Sequence, residues 1–145
     1  MWQALISPKL ALVHAGAERV GADGGPAAWK ITLVVQNEGW LPSYVSKRAL
    51  ARKVVRGLVV EVGLPEGARL ALGKLRDEHG QLEGKAYKHT GVSFWPDYNI
   101  TDDRVKLEWI VEGKPGDLVT LTARHERAGL VRADVTLGKQ EPARD

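Results

Sequence analysis

The sequence predicts an all-β protein: an antiparallel sandwich of about seven short strands, with at most one short helical turn. Three observations carry this expectation. Apolar residues alternate with polar ones, with a period of two, over residues 29–36, 105–111, 118–123 and 131–137. That period puts one face on a core and the other in water. Turn-forming clusters separate these runs: Gly21-Ala-Asp-Gly-Gly-Pro26, Leu64-Pro-Glu-Gly67, Glu112-Gly-Lys-Pro-Gly116 and Glu126-Arg-Ala-Gly129. Helix propensity concentrates in one place, residues 46–53, where Ser46 is placed to cap Ala49-Leu50-Ala51.

In chain order, residues 1–8 read as an apolar leader ending at Pro8, ahead of a domain spanning 9–138. The leader has neither a basic start nor a long apolar run, so it does not read as a signal peptide. Leu10, Leu12 and His14 alternate as a first strand, with Val13 and Ala15 on its other face. In the strand at 29–36, Ile31, Leu33 and Val35 face inward and Lys30, Thr32 and Gln36 outward, with Trp29 opening it as a core residue. Asn37-Glu38-Gly39 stops this strand, because Asn and Gly tolerate the positive φ of a turn. An aromatic, proline-stiffened corner follows through residue 46.

After the helical turn, the β-branched run 54–62 places Leu58, Val60 and Val62 on one face and Val59 and Glu61 on the other. Arg69–Leu72 reads as a short strand stopped by Gly73, and Gln81–Gly84 as a short edge strand. Residues 89–103 form a long loop, a feature that in a compact domain serves function or packs on a neighbour. Val105, Leu107, Trp109 and Val111 then face inward, as do Val119, Leu121 and Ala123, and Val131, Ala133, Val135 and Leu137. Residues 139–145 are a polar tail expected to fray. Strand number and spacing suggest an immunoglobulin-like sandwich without the Cys-Trp-Cys signature of true immunoglobulins.

Composition narrows the chemistry. At 145 residues the chain suits one domain with a core that needs no staple. It has no cysteine, which removes disulfides, thiolate metal sites and cysteine nucleophiles together, yet says nothing of compartment. The formal net charge is +3, and the densest basic run is Lys47-Arg48-Ala-Leu-Ala-Arg52-Lys53. A solvated face explains that run, so nucleic acid is not expected as a partner. No apolar run approaches the roughly 18 residues of a membrane span.

Candidate sites follow from side-chain chemistry. His14, His79, His89 and His125 show none of the spacings by which neighbouring residues share a metal. Asp97, Asn99, Asp102 and Asp103 bring oxygen ligands close together, as calcium wants, but Thr101 and a missing glycine break the EF-hand pattern. Asp and Asn capping their own loop account for the same residues. Ser7, Ser43, Ser46 and Ser93 lie in no nucleophile elbow. No catalytic and no metal residue is therefore assigned. Trp40, Tyr44, Phe94, Trp95 and Tyr98 all fall in predicted loops. Three roles are open to them: a mini-core closing one end of the sandwich, an anchor in a protein contact, or a stacking surface for a ligand.

One stretch carries a family likeness. Val35-Gln-Asn-Glu-Gly-Trp-Leu-Pro-Ser-Tyr-Val-Ser-Lys-Arg-Ala-Leu50 resembles the non-catalytic C-terminal region of bacterial zinc carboxypeptidases of the carboxypeptidase A-like family. Gly80-Gln-Leu-Glu-Gly84, Val105-Lys-Leu-Glu-Trp109 and Val119–Gly129 extend the resemblance over roughly residues 8–137. The Asn37-x-Gly39 element is more loosely similar to adhesion-type bacterial immunoglobulin-like modules. The main resemblance implies an accessory, non-catalytic β-sandwich that supports or docks on a metallopeptidase domain preceding it. In that family zinc belongs to the peptidase domain, on a His-x-x-Glu pair and a later His that cannot be placed here. This chain is thus expected to hold no cofactor and to hydrolyse no peptide itself. Its expected partners are that upstream domain and a peptide or cell-wall glycan. The alternative is a free-standing immunoglobulin-like module that binds carbohydrate, peptidoglycan or protein.

Overall fold

In the computed structural model, which describes residues 6–21, 27–85 and 103–138, two four-stranded antiparallel sheets face one another. The strands are β1 (Leu10–Val20), β2 (Ala28–Asn37), β3 (Leu58–Gly63), β4 (Arg69–Leu72), β5 (Arg76–His79), β6 (Arg104–Glu112), β7 (Leu118–His125) and β8 (Gly129–Thr136). A short helix, α1 (Lys47–Ala51), joins β2 to β3. One sheet runs β1-β2-β6-β4 and the other β5-β3-β7-β8. The all-β sandwich expected from the alternation is the observed architecture.

The strongest alternation builds the core. Trp29, Ile31, Leu33 and Val35 on β2 and Leu107, Trp109 and Val111 on β6 face Leu58, Val60 and Val62 on β3 and Val119, Leu121 and Ala123 on β7. β2 and β6 pair in unbroken register, from Ala28 opposite Glu112 to Gln36 opposite Arg104. Each tryptophan keeps its indole N–H satisfied at the core boundary: Trp29 donates to the Gly113 carbonyl at 3.1 Å and Trp109 to the Lys74 carbonyl at 3.2 Å. A buried indole that lost such a partner would pay for the desolvated donor.

The outward faces carry ion pairs instead. Glu108 meets both Lys30 (3.1 Å) and Lys106 (2.9 Å), and these ammonium groups hold its carboxyl below the ordinary carboxylate value. On the other sheet Glu61 lies between Arg76 and Arg124, each at 3.4 Å. Opposite charges across neighbouring strands favour this register.

Four local expectations change. A bulge between Leu12 and His14 resets the phase of β1, so Leu12, Val13 and His14 are exposed while Ala15 and Ala17 pack on the core. One extra residue in an edge strand turns every later side chain to the opposite face. The β-branched run 54–62 becomes strand only from Leu58; Val54 is exposed, and Val55 is buried in the approach to β3. Arg76–His79, rich in charge, forms the edge strand β5 against β3, a pairing that an alternation signal cannot reveal in a strand with almost no apolar residue. Gln81–Gly84 is not a strand; it runs along the corner described next. The leader before Ile6, most of the loop 89–103 and the tail 139–145 lie outside the described residues.

The sheets bring several chain ends to one end of the sandwich. β2 ends there at Asn37, opposite Leu10 where β1 begins; β6 begins there beside Gln36; and β7 ends at His125 opposite Gly129. The Leu10 N–H crosses to the Ala128 carbonyl at 2.8 Å and ties the two sheets together.

Candidate functional site: the corner and its surface

At this end the sandwich is closed by a hydrogen-bonded corner organised on Asn37. Asn37 is fully buried, at 0% exposure, because it continues the inward phase of β2 one step beyond Val35. Its Oδ1 accepts from the Lys9 N–H (2.9 Å) and the Gly39 N–H (3.0 Å). Its Nδ2 donates to the carbonyls of Leu41 (2.9 Å) and Glu83 (3.2 Å). Two donors on one side and two acceptors on the other leave a single orientation of the amide. Three separated segments, 9, 39–41 and 83, are thereby locked to the last residue of a core strand.

Close backbone contact completes the lock. A Cβ at Gly39 would collide with the carbonyl of Ser7, and one at Gly84 with the backbone of Trp40 and Leu41. The Glu38 N–H donates to the Lys9 carbonyl (2.8 Å), the Leu41 N–H to the Ile6 carbonyl (3.0 Å) and the Lys85 N–H to the Gly39 carbonyl (3.0 Å). Both glycines are needed for approach rather than for turn geometry.

A second network lies beside the first. Ser43 and Leu82 exchange bonds: the Ser43 N–H donates to the Leu82 carbonyl (2.8 Å) and the Leu82 N–H to Ser43 Oγ (2.9 Å). Ser43 Oγ donates to Gln81 Oε1 at 2.6 Å. His125 is buried, and its Nδ1 accepts from the Arg127 N–H at 3.1 Å. That bond leaves Nε2 as the protonated nitrogen, which donates to the same Gln81 Oε1 at 2.9 Å. Gln81 Nε2 donates in turn to the carbonyls of Val55 (3.3 Å) and Arg56 (2.9 Å). Desolvation holds the His125 pKa below its ordinary value, with the Glu126 charge opposing, so the ring is neutral here. Ser43 and His125 share an acceptor and do not meet. Nothing in this geometry gives the Ser43 hydroxyl a base, so the pair lacks the arrangement of an activated nucleophile.

The five candidate aromatics divide. Tyr44 is buried at 3% exposure, and its hydroxyl lies 2.9 Å from both carboxylate oxygens of Glu83. It belongs to the corner's interior, not its surface. Trp40 is 54% exposed, and its chain neighbours Gly39 and Leu41 meet the backbone of Ser7 and Ile6. Phe94, Trp95 and Tyr98 lie outside the described residues. So do Asp97, Asn99 and Asp102 of the weighed calcium loop. The fourth residue, Asp103, is buried and accepts from Gln36 Nε2 at 2.6 Å, while its carbonyl accepts from the Asn37 N–H at 2.8 Å. Among the described residues no three His, Asp or Glu side chains gather as metal ligands would.

Sequence reasoning missed the polar half of this site. Asn37 was legible only as a strand stop, Gln81 and Glu83 as strand residues, and His125 only as a histidine without a metal-sharing neighbour. The burial of His125 follows from its phase: it continues the inward run Val119, Leu121, Ala123. The same extrapolation places Asn37 inside, so phase continued past the last apolar residue is the signal that could have found both. A half-open cleft of about 670 Å³ beside β1 is lined by His14, Gly16, Glu18, Lys30, Thr32 and Trp29 among others. The Trp29 ring is buried and its N–H occupied, so the cleft presents no free indole for stacking.

Comparison with known sequences finds one family profile, described as "Domain of unknown function (DUF8731)", matching residues 9–136. No curated protein matches the chain.

Proposed function

The chain belongs to the DUF8731 family, and we propose that it is a non-catalytic accessory module whose corner end docks on a neighbouring domain. The observation that carries this reading is the position of Trp40. A large apolar ring stands in solvent on a corner whose other polar and aromatic groups are committed to one another. An exposed tryptophan on a rigid support is the kind of residue that anchors protein contacts.

The chain also passes this point on its way in. Ile6, itself exposed, is hydrogen-bonded to Leu41, so a domain joined ahead of residue 6 would emerge beside Trp40. The resemblance to zinc carboxypeptidase C-terminal regions supports a metallopeptidase domain in that place, with the zinc and the hydrolytic chemistry residing there. The strand orders β1-β2-β6-β4 and β5-β3-β7-β8 support an immunoglobulin-like connectivity, with the variation that β4 joins the first sheet before β5 joins the second. A free-standing sugar-binding module would need several exposed aromatics in one groove. Among the described corner residues Tyr44 is inside, which leaves Trp40 to stand without it.

The test joins a zinc carboxypeptidase domain of the same source to residues 1–145 and follows its thermal unfolding. Docking raises the unfolding temperature of the peptidase domain relative to the domain alone, and Trp40→Ser removes most of that gain. Equal unfolding temperatures with and without the module, or a gain untouched by Trp40→Ser, would overturn the reading.

A further inference from the structure

We propose that the connection 47–56, α1 and the residues after it, docks on the surface of an anionic phospholipid membrane. This goes beyond the docking of the corner and uses a different surface. Lys47, Arg48, Arg52, Lys53 and Arg56 occupy ten residues that contain no Asp or Glu. They hold more positive charge than the whole chain's net +3, so the remainder of the chain is acidic on balance. All five are exposed.

Their clustering separates them from the other cations: Lys9, Arg19 and Lys114 also lack an ion pair with a described carboxylate, but each stands singly in the chain. On the sheets and their connections Lys30, Arg69, Lys74, Arg76, Lys106, Arg124 and Arg132 each meet a carboxylate. None of the five cations of the connection forms an ion pair with a described carboxylate. Glu126, which reaches this segment, accepts from the backbone N–H of Arg56 at 3.1 Å. The charge is therefore concentrated and left for an outside partner.

Folding does not explain the segment's composition. No residue of α1 is buried, so the helix contributes nothing to the core. Leu50 is 43% exposed and Val54 61% exposed, and both lie between the cations in sequence. Apolar side chains are exposed elsewhere too, as at Leu72 and Leu130; Leu50 and Val54 differ in standing within the basic run, where a partner offering anionic and apolar surface together takes both. The combination selects the partner class. Phosphate headgroups attract the cations, and the aliphatic side chains enter the headgroup–acyl boundary. A nucleic-acid surface would also take the charge, but a single strand binds through stacked aromatic rings, of which residues 46–56 contain none, and duplex phosphates would leave Leu50 and Val54 without an apolar contact.

The segment is presented rigidly. Ser46 Oγ caps α1 by accepting from the Ala49 N–H at 3.2 Å, and Lys53 closes the turn at φ 52°. Tyr44 is buried on one side and Val55 on the other, and Gln81 holds the carbonyls of Val55 and Arg56.

Co-sedimentation of the full chain with vesicles tests the proposal. Vesicles of equal parts phosphatidylglycerol and phosphatidylcholine bind the protein at least roughly a hundredfold more tightly than pure phosphatidylcholine vesicles, and molar salt abolishes the difference. Lys47→Gln, Arg52→Gln and Lys53→Gln together weaken binding by about 100-fold, at roughly fivefold for each charge near the surface. Leu50→Ser with Val54→Ser weakens it by about tenfold or more through lost apolar burial. These side chains are exposed, so unchanged thermal unfolding shows that the variants remain folded. Equal binding to both vesicle types overturns the proposal, as does binding that survives the triple variant. Tighter binding to a single-stranded oligonucleotide, with no effect of the Leu50 and Val54 changes, would assign the surface to nucleic acid and also overturn it.

Discussion

Replacing Asn37 by alanine removes the group on which the corner is built. Four backbone groups lose a partner: the N–H groups of Lys9 and Gly39 and the carbonyls of Leu41 and Glu83. Gly39 is buried, so its orphaned N–H costs roughly 1–3 kcal/mol. The other three belong to residues that retain exposure and can recover water, at a net loss of about 0.5–1.5 kcal/mol each. Because the four share one side chain the losses do not simply add, and roughly 4 kcal/mol is expected. Against a domain stability of about 5–15 kcal/mol this is a large fraction. With a urea dependence near 2 kcal/mol/M, the unfolding midpoint falls by about 2 M. Asn37→Asp keeps two acceptor bonds, loses both donations and buries a charge, so it is at least as damaging at neutral pH. Amide exchange at Gly39 accelerates in Asn37→Ala, which removes its acceptor. A midpoint shift under about 0.5 M for Asn37→Ala would mean that water substitutes freely at the corner, and the rigid platform assigned to Trp40 would go with it.

Three further outcomes follow from the same network and its backbone. His125 is neutral in the folded state with its pKa lowered, so the unfolded chain binds more protons below the ordinary value of 6.5. Its contribution is intact above that pH and is lost as pH falls through the folded value; urea midpoints measured from pH 8 to pH 5 decline, and less steeply in His125→Gln. Gly84→Ala drives a methyl group into the backbone of Trp40 and Leu41 and costs about 1–3 kcal/mol, read as a lowered midpoint, whereas a surface change such as Lys85→Ala stays within about 0.5 kcal/mol. Val45 sits at φ 65°, a left-handed conformation unsuited to a β-branched residue. Val45→Gly therefore relieves about 1–2 kcal/mol of strain and raises the unfolding temperature, with part of the gain returned as chain entropy.

Reading the sequence located most of the architecture. β2, β6, β7 and β8 were legible because each carries at least three inward apolar residues at a strict period of two. The capped turn α1 was legible from Ser46 and the alanines after it. β1 was legible as a strand but not in its phase, since an edge-strand bulge leaves no apolar signature. β5 was invisible, because Arg76-Asp-Glu-His79 pairs through its backbone and its charges. At the candidate site Trp40 and the basic run stood out by composition, whereas the roles of Asn37, Gln81, Glu83 and His125 did not.

That difference has one physical cause. Alternation of apolar and polar residues reports which face of a strand avoids water, a local property, and it was enough to determine an all-β sandwich and its principal core. Hydrogen bonds between Asn37 and residues 9 and 83, or between His125 and Gln81, join positions 28, 46 and 44 apart in the chain. Which groups meet at such separations depends on how two sheets stack and where their strands end. Only the tertiary structure therefore decided that Tyr44 lies inside the corner while Trp40 and the cations of 47–56 face outward.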